Sequence, residues 1–178
     1  VMARWDTLEK FIKEKDLSTG AELGVWKGKT ITHLLETCPQ LHMTGIDAWD
    51  SMGKWTKWNH KQNEREVRHK TKKFGDRCKL IKGKTTEVAD QIEDATLDFV
   101  FIDADHSEQG VSRDIETYKT KVKPGGYVMG HDFDWQSVRA GIKQHFDTVN
   151  TMSNGIWYVR WKKKERQKEK VNAWRKTP

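Results

Sequence analysis

Short apolar segments that alternate with helical segments are the feature that most limits how this chain can fold. Residues 98–102 (DFVFI) are almost continuously apolar, as expected for a strand that is covered on both faces. A helical segment follows at 108–120, and Gly125 and Gly126 then precede a further strand at 127–130. The same alternation occurs earlier in the chain, and it predicts a parallel sheet with helices on both faces.

The alternation begins with a helix at 5–15, where apolar residues recur at helical spacing. Asp6, with Glu9 three residues later, resembles an N-terminal cap of this helix. Further strands are expected at 21–25, 42–46, 78–81, 147–152 and 156–161, and further helices at 29–37, within 50–75, near 86–91 and at 136–146. A Ser-Asn-Gly segment typical of a hairpin joins the last two strands. The predicted fold is therefore α/β, a Rossmann-like doubly wound, mostly parallel seven-stranded sheet with an antiparallel strand near the C-terminal edge.

The length of 178 residues indicates one domain, which we place at 1–160, followed by a basic tail at 161–178. The net charge of +7 is unevenly distributed. Residues 54–84 carry twelve Lys and Arg against three Asp and Glu, and the tail carries eight against two. Two such basic blocks indicate an anionic partner, either a nucleic acid or a negatively charged small substrate, or else a solvated helix face and a soluble tail.

Several classes of protein are disfavoured by patterns that the sequence lacks. No segment approaches the roughly 18 uncharged residues of a membrane span, and no basic-then-apolar signal is present, so we expect a cytoplasmic protein without a membrane partner. Cys38 and Cys78 form no CxxC pattern, which argues against a disulfide framework and a structural zinc site. Neither GxGxxG nor GxxxxGK[ST] follows the first strand, which argues against NAD-dependent oxidoreductases and NTPases.

Acidic, polar and glycine residues stand where the predicted strands end. Ligands of open α/β sheets bind outside the carboxyl ends of the strands, so these residues should converge on one edge. In AELGVWKGKT, Gly24 and Gly28 would let a ligand approach the backbone closely. Asp47 ends the second strand, 23 residues after Gly24. An acidic side chain at that place can accept hydrogen bonds from ribose hydroxyls.

Five segments in order resemble class I S-adenosylmethionine-dependent methyltransferases: AELGVWKGKT, TGIDAWD, KGKTTEVA, DFVFIDADHSEQGVSRDIETY and KPGGYVMGHDFDW. The resemblance covers roughly residues 18–160 and is strongest to small O-methyltransferases of the kind that includes macrocin O-methyltransferase. It implies the fold predicted above, with S-adenosylmethionine as the cofactor.

The resemblance also implies how the cofactor is held. The loop 22–28 would wrap its methionine part, Thr30 would reach its carboxylate, and Asp47 would hold its ribose. Trp49, or the segment around 84–85, would bracket the adenine. Because the cofactor carries positive charge, carboxylates at the mouth of the site suit it electrostatically. The predicted cofactor-binding residues are Glu22, Gly24, Val25, Trp26, Gly28, Thr30, Asp47, Ala48, Trp49, Lys84, Thr85 and Asp103.

By the same resemblance, Asp103 and Asp132 match the two acidic metal ligands of metal-dependent O-methyltransferases. Phe133 stands where those enzymes have Asn, so His131 or Asp134 would have to complete the site. Oxygen-rich ligands would suit Mg²⁺ or another divalent cation. In the alternative, as in metal-free members, Asp103 binds the ammonium group of the cofactor and no metal is involved.

The predicted catalytic residues are His106 and Asp103. His106 stands at the position that the general base has in the resembling enzymes. A histidine near its usual pKa of about 6.5 is suited to accept a hydroxyl proton near neutrality. The alternative is that His106 caps the helix that follows it.

These observations predict methyl transfer from S-adenosylmethionine to a hydroxyl group of a small molecule. An anionic acceptor would suit the two basic blocks. One alternative is a nucleic-acid methyltransferase that uses 54–84 and 161–178, although no NPPY-type tetrad follows the fourth strand. Another is a cofactor-binding protein without transferase activity. Because no sizeable insertion follows the fifth strand, residues 50–75, the N-terminal helix or a partner subunit must shape the acceptor site, and a homo-oligomer is a further expectation.

Overall fold

The computed structural model describes residues 3–50 and 59–162. The predictions for 51–58 and for most of the basic tail, 163–178, lie outside these residues. The helices are α1 (Arg4–Glu14), α2 (Lys29–Thr37), α3 (His60–Thr71), α4 (Glu108–Tyr118) and α5 (Gln136–Lys143). The strands are β1 (Thr19–Leu23), β2 (His42–Asp47), β3 (Cys78–Lys82), β4 (Leu97–Ile102), β5 (Val122–Gly130), β6 (Asn150–Met152) and β7 (Ile156–Arg160). Short 3₁₀ helices lie at Lys72–Arg77 and Ala89–Gln91.

The described strands form one seven-stranded sheet in the order β3-β2-β1-β4-β5-β7-β6. The pairs among β1 to β5 are parallel, and β7 is antiparallel to both β5 and β6. The predicted fold class is thereby confirmed. The order of the strands reverses direction between β1 and β4, and ligands of such sheets bind beside this point, at the carboxyl ends of the strands.

The central strand β4 is buried on both faces, which explains its continuous apolar sequence. Val100 packs into the core on one side of the sheet, and Phe99 and Phe101 pack into the core on the other side. All three side chains are at most 1% exposed. A strand of this kind must lie in the middle of a covered sheet, so its end at Asp103 lies centrally at the ligand-binding edge.

Helix α1 is held against the sheet by an apolar stripe and by specific contacts. Leu8 and Ile12 are fully buried, and the Phe11 ring lies 5.0 Å from Tyr127 and 4.9 Å from Tyr158. The Asn154 side-chain amide donates a hydrogen bond to the Thr7 hydroxyl (3.0 Å). These contacts fix the first turn of α1 near the carboxyl ends of the central strands.

Several predicted elements need correction. Strand β5 begins at Val122 rather than at 127, and β6 begins at Asn150 rather than at 147. The helix expected near 86–91 is only a 3₁₀ turn, because its β-branched residues favour helix weakly and its Val88, Ala89 and Ile92 are drawn into the core. Helix α5 ends at Lys143 rather than at 146. Asp6 is not the N-cap of α1: the helix starts at Arg4, and the Asp6 carboxylate accepts a hydrogen bond from the Ala3 N–H (2.8 Å). None of the described helices is long and apolar enough to cross a membrane.

Candidate active site

The loop between β1 and α2 passes directly over the end of β4. Gly24 has a left-handed backbone conformation (φ +89°), and a Cβ placed on it would lie 2.2 Å from the Asp103 carbonyl oxygen. The Gly24 N–H donates to the Ile46 carbonyl, and the Asp103 N–H donates to the Leu23 carbonyl, both at 2.8 Å. Glycine is therefore required here, and it joins the loop of the predicted cofactor site to the acid that follows β4.

Asp47 ties together the loops that follow β1 and β2. Its carboxylate accepts hydrogen bonds from the backbone N–H of Trp26 (2.7 Å) and of Trp49 (2.6 Å). The Trp49 indole N–H in turn donates to the Trp26 carbonyl (3.0 Å). Burial raises the pKa of Asp47, and the two backbone hydrogen bonds partly offset this effect. Two bonds leave further acceptor capacity on the carboxylate, so Asp47 can also bind ligand hydroxyls.

Glu22 and Thr30 lie buried beneath the same loop. The Glu22 Oε2 and the Thr30 hydroxyl have no hydrogen-bond partner among residues 3–50 and 59–162. Burial, assisted by the negative charge of Asp103, raises the pKa of Glu22 to about 8. A cationic ligand group beside Glu22 would restore its charged form and satisfy a buried polar atom. These residues therefore fit a positively charged cofactor with amino and carboxylate groups.

The remaining predicted cofactor residues divide into two groups. Val25, Gly28 and Ala48 belong to the loops that Asp47 connects. Lys84 and Thr85 follow β3, but the Lys84 ammonium pairs with Glu87 (2.9 Å) and the Thr85 hydroxyl donates to Asp114 (2.5 Å). Both polar groups are thus engaged by the protein itself, while the neighbouring Gly83 N–H donates to the Asp47 carbonyl (3.0 Å) and joins this segment to the end of β2.

A cluster of charged side chains surrounds the ends of β4 and β5. The His106 Nε2 lies 2.8 Å from Asp132 Oδ2 and 3.5 Å from Asp103 Oδ1. The His131 Nδ1 lies 3.0 Å from Asp132 Oδ1 and 3.6 Å from Asp103 Oδ1. On the other side of Asp103, the guanidinium of Arg4 lies 2.9 Å from Oδ2. Sequence positions as far apart as Arg4 and Asp132 therefore meet at one place.

The carboxylates stabilise a protonated His106. Asp103 is the largest cause and Asp132 the second, and together they raise the pKa of His106 to about 9 although burial opposes the shift. Burial also works against the charged form of Asp132, but His106 and His131 hold its pKa well below the usual range. The protonated form of His106 is thus favoured in the free protein, whereas the sequence analysis assumed a histidine near its usual pKa.

The ligand atoms of Asp103, His131 and Asp132 lie within 4.8 Å of one another, a spacing that a metal ion could bridge. The sequence offered His131 or Asp134 as the third ligand, and the structure places His131 beside Asp103 and Asp132. Phe133 supplies no ligand atom, and Asp103 already forms an ion pair with Arg4. The donor atoms fit a divalent ion by spacing, but the charge around them is already balanced by Arg4 and His106.

A small cleft lies beside this cluster, and its lining includes Asp103, His106, His131 and Trp157. The Ser137 hydroxyl donates to the His106 carbonyl (2.7 Å), which fixes the His106 backbone. His106 does not cap α4: Ser107 does so, through a hydrogen bond from the Gly110 N–H to the Ser107 hydroxyl (3.0 Å). The His106 side chain thus lines the cleft, with its Nε2 buried against Asp132.

Sequence reasoning missed two residues of this site. The Trp135 ring is 46% exposed and lies 5.2 Å from the His106 ring, which makes it a flat apolar surface beside the candidate base. Arg4 was not predicted because nothing in its local pattern distinguishes it from other basic residues on a helix surface. It reaches His131, 127 positions later in the chain, at 3.3 Å, and only the folded structure reveals this contact.

The family model described as a methyltransferase domain matches residues 21–133. This range holds both the loops around Asp47 and the charged cluster. The chain belongs to this methyltransferase family. The sequence-based assignment to class I S-adenosylmethionine-dependent methyltransferases is thereby confirmed, together with the fold. A comparison with curated protein sequences finds no match to this methyltransferase.

The methyltransferase is similar in fold to solved structures at low sequence identity. The SAH-bound methyltransferase PaMTH1 from Podospora anserina is 15% identical with a TM-score of 0.68, over 92% of this chain and 80% of that chain. The O-methyltransferase TomG from Streptomyces achromogenes, in complex with SAM, is 14% identical with a TM-score of 0.67, over 92% and 82%. The O-methyltransferase from Bacillus cereus, in complex with SAH, is 16% identical with a TM-score of 0.64, over 90% and 82%. These likenesses support the fold alone.

Proposed function

We propose that this methyltransferase binds S-adenosylmethionine in the loops after β1 and β2 and methylates a hydroxyl group of a small molecule in the cleft beside His106. The observation that carries the proposal is the junction at Gly24, where the loop of the cofactor site lies against the Asp103 backbone. A methyl donor held by that loop would be next to the charged cluster. The O-methyltransferases TomG and that of Bacillus cereus, which share the fold and hold SAM or SAH, support the choice of cofactor and reaction.

The cofactor would be held by residues that are unsatisfied or have spare acceptor capacity. Glu22 would face the positive charge of its methionine part, and the Thr30 hydroxyl would complete this contact. Asp47 would accept hydrogen bonds from the ribose hydroxyls while keeping its two backbone bonds. When bound, the cofactor supplies a methyl group on a cationic sulfur that passes to the acceptor oxygen by in-line displacement.

His106 would take the proton of the acceptor hydroxyl. Asp103 and Asp132 hold its imidazole at the edge of the cleft, and Ser137 holds its backbone. The positive charge of a cofactor near Asp103 would lower the pKa of His106, because like charges disfavour protonation. The neutral imidazole that accepts the proton is therefore favoured in the loaded enzyme relative to the free protein.

A divalent cation is the alternative means of activating the hydroxyl, and Asp103, His131 and Asp132 would be the residues to hold it. We propose the metal-free form. Its support is the ion pair of Asp103 with Arg4, which balances one of the ligand carboxylates with a cation of the chain itself.

The acceptor that we propose is a small molecule, and its anionic character stays a prediction from the basic composition of 54–84. Many basic side chains of this segment are paired within the protein: Lys82 and Arg68 with Glu64, and Lys73 with Glu36. This pairing reduces the charge that is free to bind a nucleic-acid backbone, so the nucleic-acid alternative ranks second. A cytoplasmic location and self-association stay predictions from the sequence.

The proposal is tested with methyl-labelled S-adenosylmethionine and, separately, the small-molecule and nucleic-acid fractions of a cell extract, with labelled products identified by mass spectrometry. We expect a labelled product bearing a methyl ether and at least a hundredfold slower labelling by His106→Gln, since general bases contribute about 10²–10⁴-fold. His42→Gln, an exposed histidine at the opposite end of β2, is the matched control and should keep the wild-type rate.

Two outcomes would contradict the proposal in different ways. If calorimetry shows that neither S-adenosylmethionine nor its demethylated product binds, the cofactor assignment is wrong. If both bind but the label appears only on nucleic acid, or His106→Gln labels as fast as the wild type, then the acceptor or the role of His106 is wrong.

A further inference from the structure

Arg4 places a permanent positive charge inside the acidic part of the site. Its guanidinium lies 2.9 Å from Asp103 Oδ2 and 3.3 Å from His131 Nδ1. Only 27% of the Arg4 side chain is exposed, and its Nε is buried without a hydrogen-bond partner in the described part of the chain. Because a guanidinium does not lose its proton in proteins, this charge is present at every working pH.

The charge of Arg4 acts on more than one carboxylate. It pairs with Asp103, and it also favours the charged form of the buried Glu22. Asp132 is paired with His106 on the opposite side. Asp103 thus has a permanently cationic side chain of the protein beside it, and Asp132 lies against His106.

We propose that Arg4 is the resident counter-cation of Asp103 and takes the place that a divalent ion has in metal-dependent O-methyltransferases. An ion that binds Asp103, His131 and Asp132 would lie against the guanidinium, and like charges at such distances repel strongly when they are shielded from water. Arg4 therefore keeps divalent ions out of the site and pairs with Asp103 in the place of one. It acts through Asp103, so it is a positioning residue.

The position of Arg4 is built into the fold. Arg4 is the first residue of α1, and α1 is anchored by Leu8, Phe11 and Ile12 and by the hydrogen bond between Asn154 and Thr7. The guanidinium is consequently presented to Asp103 by a helix with a fixed place on the sheet. Because α1 is anchored, the guanidinium can leave Asp103 only if the Arg4 side chain itself breaks the ion pair and rotates away.

The test measures binding of Mn²⁺ by electron paramagnetic resonance of the free ion, without cofactor or acceptor. Arg4→Met keeps much of the side-chain length and removes the charge, and we expect it to bind Mn²⁺ at least about tenfold more tightly than the wild type. Arg4→Lys should restore the weak binding of the wild type. Lys10→Met removes an exposed charge from the same helix and should bind as the wild type does.

The binding gained by Arg4→Met should disappear in Arg4→Met/Asp103→Asn, which shows that the ion sits on Asp103. The proposal is overturned if the wild type binds Mn²⁺ within about twofold of Arg4→Met. It is overturned too if neither protein binds the ion, because another feature then excludes it. Arg4→Gln is measured in parallel, with circular dichroism as the folding control. The readout needs no methyl transfer, so its failure and that of the proposed function are distinguishable.

Discussion

At the scale of single residues, Asp47 shows how one side chain can serve both the protein and a ligand. Its carboxylate holds the backbone of Trp26 and Trp49, so the loops after β1 and β2 keep a fixed spacing before any ligand binds. The same group ends β2 at the edge where ligands of such sheets bind. Loss of its charge should therefore affect affinity through both the loop geometry and the ligand contact.

Asp47→Asn should weaken binding of the demethylated cofactor product by about 10- to 150-fold. The amide of Asn has the same shape but presents an N–H group to one of the two backbone N–H donors, which then lacks an acceptor. Hydrogen bonds to a charged group contribute about 1.5–3 kcal/mol to binding, and the substitution also removes that charge. Isothermal titration calorimetry measures the change. Asp90→Asn, an exposed acid in the 3₁₀ helix after β3, is the control. An unchanged affinity in Asp47→Asn would remove Asp47 from the cofactor site.

The residues of the candidate site differ in how far the sequence could predict them. Glu22, Asp47, Asp103 and Asp132 stand at strand ends, and strand ends can be located from hydrophobic periodicity alone. The ion pair of Arg4 depends on where α1 packs, which no local pattern encodes. The raised pKa of His106 could not be predicted from the sequence either, because it results from two carboxylates that come together only in the fold.

At the scale of elements, Asp98 connects three strands at the edge opposite to the site. Its carboxylate accepts hydrogen bonds from the N–H and hydroxyl of Ser18, from the N–H of Thr19 at the start of β1, and from Lys123 of β5 (2.7–3.0 Å). Burial would raise the pKa of Asp98, but Lys123 and the Ser18 and Thr19 hydrogen bonds outweigh it and lower the pKa to about 2. The charged carboxylate thus stabilises the central strands.

This shift predicts a pH-dependent loss of stability. A carboxyl whose pKa is lower in the folded than in the unfolded chain stabilises the folded state. This stabilisation is fully present above the unfolded pKa of about 3.9 and is lost as the pH falls toward 2. Asp98→Asn should reduce the free energy of unfolding by about 2 kcal/mol at pH 7 and by roughly half as much at pH 3. Urea unfolding at both values measures it. A difference that stays constant between pH 7 and pH 3 would contradict the role of the charge.

Elements with a clear period were well predicted, and the exceptions have a physical cause. Helix α2 and strand β4 follow the expected bounds closely, because their apolar residues repeat with the period of a helix or fill a covered strand. The prediction of an α-helix at 86–91 was wrong. Val88 and Ala89 are buried in the core, but the segment forms only a 3₁₀ turn. The conformation of this segment is therefore determined by the tertiary packing of its buried side chains rather than by local helix propensity.

At the scale of the whole molecule, the basic tail should be peripheral to the cofactor site. The tail carries eight Lys and Arg against two Asp and Glu in 161–178, and its composition is typical of a solvated segment. Deletion of 165–178 should leave affinity for the demethylated cofactor product unchanged within about threefold, as measured by calorimetry. Salt titration of binding to RNA and DNA is the companion measurement. A steep, salt-dependent affinity that the deletion abolishes would favour the nucleic-acid alternative.

The contact between Arg4 and His131 spans 127 positions of the chain, and this separation has a consequence for folding. Contacts between distant positions require closure of a long loop, so they form late and slowly compared with helices and hairpins. During synthesis, Arg4 emerges from the ribosome well before Asp103, His131 and Asp132. The carboxylates meet their counter-cation only after α1 has docked on a nearly complete sheet, so the electrostatic balance of the site is among the last properties that the folding chain acquires.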